Sequence, residues 1–379
     1  VEAKLEQILR RKVNDALAEP VPRFTRRDVA LPGIAGKAIA VIGMRRTGKS
    51  TFLWQQLADR LASGADRDSL LYLGFDDDRL VGLTVSDLDT LLEEYFRIYP
   101  AGRQGRRVTL LLDEIQVVPG WESFVRRVLD TEAADVFVSG SSAKLLSRDL
   151  ATNMRGRAME ALVHPFSFRE FLRHRGREPV EPASRWAKPT RSRIGADLDD
   201  YLVVGGFPEA QGASSRDRAR LLRGYVDSVL LRDVIERYAV SHPVALMWLT
   251  RHLLANAAGT FSIHRFTNDL RSQGIGVGKD SLYAFLDHLT DAFLLRVVPL
   301  ATASERQRMV NPRKVYPVDP GLIPLYDRTG RGNEGHALET AVAIELERRG
   351  AELAYVKTPG GLEVDFLARY PEGTEELIQ

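Results

Sequence analysis

Short apolar runs alternate with amphipathic segments over the first 165 residues. KAIAVIG (37–43), LLYLGF (70–75), VTLLLDE (108–114), DVFVSGSS (135–142) and AMEALVHP (158–165) read as strands, and VTLLLDE is apolar along its whole length, as a strand covered on both faces should be. Between them, STFLWQQLADRLAS places Phe52, Leu53, Leu57 and Leu61 near helical spacing. VSDLDTLLEEYFRIYP, with Ser86 and Asp87 near its start and Pro100 past its end, predicts another helix, and WESFVRRVLDTEA a third. Strands alternating with helices predict a parallel sheet and an α/β core over 37–165. Ahead of it, residues 1–36 form a lead-in that begins with an amphipathic charged helix and is punctuated by Pro20 and Pro22.

After Pro165 the pattern changes. Residues 166–240 read as mostly helical, interrupted by a polar Arg/Pro-rich stretch at 173–194 and by GGFP at 205–208. Residues 241–330 hold helical segments and an apolar strand, FLLRVVPL. In KDSLYAFLDHLTDA, Leu282, Phe285, Leu286 and Leu289 fall at i, i+3, i+4 and i+7, which makes one buried face. With SIHRFTNDLRSQG before it and FLLRVVPL and RKVYPVD after it, this is the order of a winged helix. On DNA, its second helix would present Lys279, Ser281 and Tyr283, while Arg265, Arg271, Arg313 and Lys314 would meet phosphates. Asp280, Asp287 and Asp291 lie on or near the same helix and oppose a duplex, so a module that contacts protein stays open beside one that contacts DNA. A small α/β unit follows over 331–379, with a helix at 335–349 and strands near 353–357 and 363–368. The sequence opens without Met and stops at EELIQ inside a strand-like segment, so both ends are expected to continue.

Composition narrows the chemistry. The 379 residues are 44% hydrophobic and 27% charged, an ordinary globular balance that suits two or three domains. A net charge of +2 neither demands nor excludes nucleic acid, and any basic surface must be local. With no cysteine, disulfides, cysteine-ligated zinc and a thiol nucleophile are excluded. No apolar run approaches the ~18 residues that a membrane helix needs, and no signal peptide opens the chain. A cytoplasmic location is the default expectation.

The sharpest signal is GMRRTGKS at 43–50, which fits G-x-x-x-x-G-K-[ST] at every fixed position. It follows a predicted strand and opens a predicted helix, so its backbone N–H groups and the helix N-terminus would cradle the phosphates of ATP. Gly43, Arg46, Thr47 and Gly48 form the loop. Lys49 would reach the β- and γ-phosphates, the Ser50 hydroxyl would ligate Mg²⁺, and Thr51 would touch the α-phosphate. The run LLLDE delivers Asp113 to the magnesium shell and Glu114 to the attacking water. Ser139, Ser141 and Ser142 end the next strand within reach of the γ-phosphate or the water. Arg157, with Arg155 as its competitor, would complete a neighbouring subunit's site in a homo-oligomer.

These residues resemble one family. RRTGKST, DEIQVVPGW, the GSS turn, the GR pair and HPFSFREF are similar to the AAA+-type ATPases of the AAA_14 group, and GGFPEA (205–210) with YVDSVLLRDVIER (225–237) is similar to the DUF4143 region that follows in that group. The resemblance runs from about residue 20 to 379. It implies an α/β P-loop NTPase (AAA+-like) core, a helical lid, a winged-helix domain and a small C-terminal restriction-endonuclease-like α/β unit. It also implies that Ser139 to Ser142 lie near sensor 1, where Asn or Thr is more usual, and that Arg157 holds the arginine-finger position. In the last unit, Glu339 on a helix and Asp365 in LEVDFL resemble the metal-binding set of PD-(D/E)xK nucleases, with Gln379 opening the last pair and its Lys two positions on, so an active nuclease and a degenerate structural or DNA-binding remnant both stay open. Three readings follow: an ATPase acting on DNA, a slow nucleotide-dependent protein-binding switch, and an ATP-regulated nuclease.

Overall fold

The computed structural model describes residues 2–140, 154, 156–310, 312–327, 334–358 and 360–379. Ser141, Ser142 and Arg155 lie outside the described residues. The chain divides into two compact units, Val1–Gly43 with Gly48–Val163, and Met44–Thr47 with His164–Gln379.

In the first unit, helix α1 (Glu2–Ala18) precedes strand β1 (Ala38–Ile42), α2 (Lys49–Ala62), β2 (Leu70–Gly74), α3 (Val85–Ile98), β3 (Val108–Asp113), α4 (Trp121–Thr131), β4 (Ala134–Ser139) and β5 (Ala158–Leu162). The five strands form one parallel sheet in the order β2-β3-β4-β1-β5. Strands β1 and β3 are buried at every residue, as their unbroken apolar runs require. Ile39, Val41, Leu111 and Phe137 of the sheet pack with Phe52, Leu53 and Leu57 of α2. Helix α3 starts at Val85, as VSDLDTLLEEYFRIYP predicts. Thr84 is the N-cap, and its backbone N–H donates to Asp87 at 2.8 Å in a capping box.

The sheet order has one consequence for chemistry. Strand β4 lies between the strand that feeds the P-loop and the strand that ends in Asp113. Neighbouring strands run about 4.8 Å apart, so the tips of β1 and β3 stand roughly 10 Å apart, with Ser139 between them.

The second unit begins with α5 (Phe168–His174), α6 (Lys188–Val204) and α7 (Ser215–Ser228). A π-helical stretch, Val229–Glu236, continues α7, a feature that the sequence pattern does not announce. Next come α8 (Pro243–Ala255), β6 (Thr260–Phe261), α9 (Ile263–Ser272), α10 (Lys279–Asp291), β7 (Leu295–Val298), α11 (Glu305–Val310) and β8 (Arg313–Pro317), with the strands in an antiparallel sheet ordered β6-β8-β7. Leu282, Phe285, Leu286 and Leu289 are all buried, as their spacing predicts. Finally α12 (Ile323–Tyr326) and α13 (Glu334–Arg348) lead into β9 (Glu352–Lys357), β10 (Glu363–Arg369) and β11 (Glu375–Ile378), an antiparallel sheet on which Ala343 and Leu346 of α13 pack against Phe366 and Ala368.

The GGFP segment of the second unit is a close-packing corner. A Cβ on Gly206 would stand 2.1 Å from the Phe166 carbonyl oxygen, and one on Gly205, at φ 76°, 1.9 Å from Asp319 Oδ1. The Gly206 N–H donates to Asp319 Oδ2 at 2.6 Å and the Gly321 N–H to Oδ1 at 2.9 Å. Complete burial pushes the Asp319 carboxyl up to about 7 against the opposing pull of those two donors.

Candidate nucleotide site

The P-loop begins where β1 ends. Gly43 takes φ 142° and Gly48 φ 97°, conformations that L side chains rarely adopt, so the motif's two glycines are fixed by backbone geometry. Gly48 is also the N-cap of α2, and no side chain caps that helix. The N-terminal dipole of that helix favours an anion there. Lys49 is buried and donates to the Gly43 carbonyl at 3.1 Å, which folds the ammonium back over the loop. The Thr47 hydroxyl donates to the Met44 carbonyl at 3.0 Å and braces the turn, while Ser50 is exposed at the start of the helix. Residues 44–47 cluster with the second unit, in which Arg45 forms a two-bond fork on Asp233, at 2.7 and 2.9 Å. Arg46, at φ 67°, turns its side chain toward Glu209 at 3.7 Å.

Two strands away, Asp113 is buried at the C-terminal tip of β3. Its Oδ1 accepts from the Ser139 hydroxyl, and its Oδ2 accepts from the Tyr72 hydroxyl at 2.7 Å. Ser139 Oγ also accepts from the Glu114 backbone N–H at 3.1 Å. One serine on the intervening strand thus ties together both acids of the DE pair. Glu114 itself sits in the left-handed region, at φ 55° and ψ 35°. A non-glycine residue is held there only when its surroundings enforce it, and such strain gathers at functional sites. Its half-buried carboxylate accepts from Gln116 Nε2. Tyr72 and Gln116 belong to this site although no motif marks them. The signal for Tyr72 is its parity: it stands two residues before Gly74, the register partner of Asp113, and so shares a sheet face with it.

Arg157 is placed elsewhere. Its carbonyl accepts from the Ala38 N–H at 2.9 Å, at the start of β1 and β5, whereas the P-loop leaves from the other end of β1. Five strand residues separate the two edges, about 16 Å. Its guanidinium is half-exposed and pairs with Asp130. Arg157 is therefore outside its own chain's phosphate site, and a catalytic role would have to be in a second copy.

The candidates in the second unit separate as well. Lys279, Tyr283, Arg265 and Arg271 are exposed, Ser281 and Arg313 partly so, and the Arg313 guanidinium lies 5.5 Å from the Tyr283 ring centre. Lys314 does not meet phosphates. It is buried, and its Nζ lies 2.9 Å from Glu339 Oε1, 2.8 Å from Glu363 Oε1 and 2.8 Å from Asp365 Oδ1. Tyr316 OH adds a bond to Glu339 at 2.7 Å. Glu339 and Asp365 do come together, around the Lys314 ammonium. Among the described residues no group of three or more His, Asp and Glu is arranged to hold a metal ion. Burial pulls the Lys314 ammonium down, and its bonds to Asp365, Glu363 and Glu339 more than reverse this, so it is held above the usual lysine range. No helix among the described residues is long and apolar enough to cross a membrane.

A glycine loop opening an uncapped helix, an acid pair two strands away and a hydroxyl on the strand between define a P-loop nucleotide-binding core. Residues 35–172 match the AAA_14 family model, an AAA domain, and residues 195–329 match a domain of unknown function, DUF8612, over the stretch where DUF4143 was expected. The chain is 30% identical over 358 residues to the uncharacterized protein MJ1544 of Methanocaldococcus jannaschii, which covers 93% of this chain and 76% of that one. An uncharacterized protein of Haemophilus influenzae is 29% identical over 330 residues, covering 87% and 78%. Among solved structures, the Walker-type ATPase PABY2304 of Pyrococcus abyssi aligns with a TM-score of 0.48 at 14% identity, over 85% of this chain and 95% of that one. The chain belongs to the AAA_14 family of AAA+-type ATP-binding proteins.

Proposed function

We propose that the chain hydrolyses ATP at the P-loop site and uses the cycle to work a winged-helix module on a partner, DNA first among the candidates. The observation that carries the hydrolytic part is the Ser139 hydroxyl bonded to Asp113 and to the backbone of Glu114. It fixes both acids at the sheet edge from which the P-loop springs. In this reading the loop N–H groups and Lys49 bind phosphate, and Glu114 orients the water and takes its proton. Ser50 and Asp113 offer oxygen donors, which suit a hard cation, and would hold Mg²⁺, which neutralises phosphate charge when bound. Arg157 would serve a neighbouring copy.

We read residues 37–165 as the ATPase core, 166–240 as the lid, 241–330 as the winged helix and 331–379 as the PD-(D/E)xK-like unit. The order helix, short strand, helix, helix and two longer strands over 243–317 supports the winged helix. The exposed Lys279 and Tyr283 on α10 support a DNA-facing surface. A second reading, a slow switch that contacts protein, draws support from Val244, Met247 and Trp248, an exposed apolar stripe on α8. A nuclease acting through Glu339 and Asp365 is disfavoured by the ammonium between them.

One experiment separates the first two. The ATPase rate is measured with and without single-stranded, duplex and branched DNA, together with the mass in solution with a non-hydrolysable ATP analogue. The expected result is a several-fold stimulation by at least one DNA and assembly with the analogue. A rate that none of the three DNAs changes removes DNA as the partner and leaves the switch.

A further inference from the structure

We propose that Tyr72 is a positioning residue for the magnesium-holding aspartate, and that through its ring it links that aspartate to the P-loop helix. This rests on the reading of the P-loop site as one for ATP with Mg²⁺. Two contacts made by one side chain carry it. The Tyr72 hydroxyl donates to Asp113 Oδ2 at 2.7 Å, and the Tyr72 ring packs on Trp54 with centres 4.3 Å apart and planes tilted by 31°. Trp54 is buried on α2, the helix that Lys49 and Ser50 open.

The geometry stops the Asp113 carboxylate from rotating. A carboxylate accepts about four hydrogen bonds, two on each oxygen. Ser139 takes a position on Oδ1 and Tyr72 one on Oδ2, so each oxygen keeps one lone pair whose direction is fixed. With Ser139 alone, the group would still turn about the bond to Oδ1. Tyr72 is itself well fixed: it is the partly buried third residue of β2, in register with Leu111 of β3. A partner that orients a metal-binding carboxylate in this way is typically worth ten- to hundred-fold in metal affinity.

The ring contact gives the test an optical readout. A change at Asp113 reaches Trp54 through one side chain, so metal arrival should alter Trp54 emission. The chain has four tryptophans, and Trp54→Phe serves as the blank that assigns the signal.

Tyr72→Phe keeps the ring and removes the hydroxyl. Affinity for Mn²⁺ in the presence of ATP is read by electron paramagnetic resonance, ATP affinity in excess chelator by calorimetry, and Trp54 emission during the metal titration. The expected result is metal affinity about ten-fold weaker, metal-free ATP affinity within two-fold of wild type, and a Trp54 response shifted to the same higher metal concentration. Ser139→Ala combined with Tyr72→Phe should weaken the metal by other than the product of the two single effects, since both act on one carboxylate. Unchanged metal affinity in a variant that melts like wild type overturns the proposal. Equal weakening with and without metal also overturns it, because Tyr72 would then only support the packing of α2. If wild type binds ATP without any metal-dependent signal, the underlying reading of the site falls, and that result is visible before any variant is made.

Discussion

Glu114→Gln should lower steady-state phosphate release by on the order of a thousand-fold while ATP binding survives. Glutamine preserves the size of the side chain and its ability to accept a hydrogen bond from a water. It cannot take the proton. The backbone that aims residue 114, at φ 55° and tied by its N–H to Ser139, does not depend on the carboxylate, so the variant should fold normally. The contact that changes is the one with Gln116 Nε2, where an amide can still present its oxygen. ATP should therefore accumulate on the protein. Phosphate release and the nucleotide that remains bound after desalting are the two measurements. Turnover within about five-fold of wild type would remove Glu114 from the role of base.

Lys314→Met should destabilise the second unit by about 3–5 kcal/mol. The ammonium is 4% exposed and faces three carboxylates, of Glu339, Glu363 and Asp365. Methionine fills much of the same volume but leaves three partly buried acids pointing at one another. The folded variant then holds three negative charges together without a counter-charge, so its stability should fall as pH rises and recover toward acid. Urea unfolding near pH 5 and near pH 8 tests both the size and the sign. A loss below about 1 kcal/mol, or a deficit that grows on acidification, would show that the cluster is not a coupled ion network. The same side chain weighs against the nuclease reading: removing the ammonium is the step that would expose the acids, and it would cost the fold.

Much of the first unit is legible in the sequence because its signals are local. GMRRTGKS dictates a glycine conformation, a helix start and a lysine over the loop within eight residues. VTLLLDE marks a strand buried on both faces and the acids at its tip. What stays hidden depends on strand order. That β4 stands between β1 and β3, so that Ser139 meets Asp113 and Glu114, is a non-local fact that no spacing encodes. Tyr72 is hidden for the same reason, since a tyrosine in a strand usually signals packing. Lys314 shows the opposite failure. A basic residue in a wing strand suggests a phosphate, but its partners lie 25, 49 and 51 residues on, and only the fold brings them to it. At 331–379 one helix and two short strands leave the strand directions open in the sequence, and the structure makes β9-β10-β11 antiparallel. The eight-residue π-helix has no residue signature comparable to a cap or a proline.

Calorimetric titration with ATP and Mg²⁺ shows whether the P-loop binds ATP. Wild type should take up one nucleotide per chain, and Lys49→Ala should bind at least about a hundred-fold more weakly, because the charge that meets the β- and γ-phosphates is gone. Absence of binding to wild type, or equal affinity in Lys49→Ala, would contradict the account.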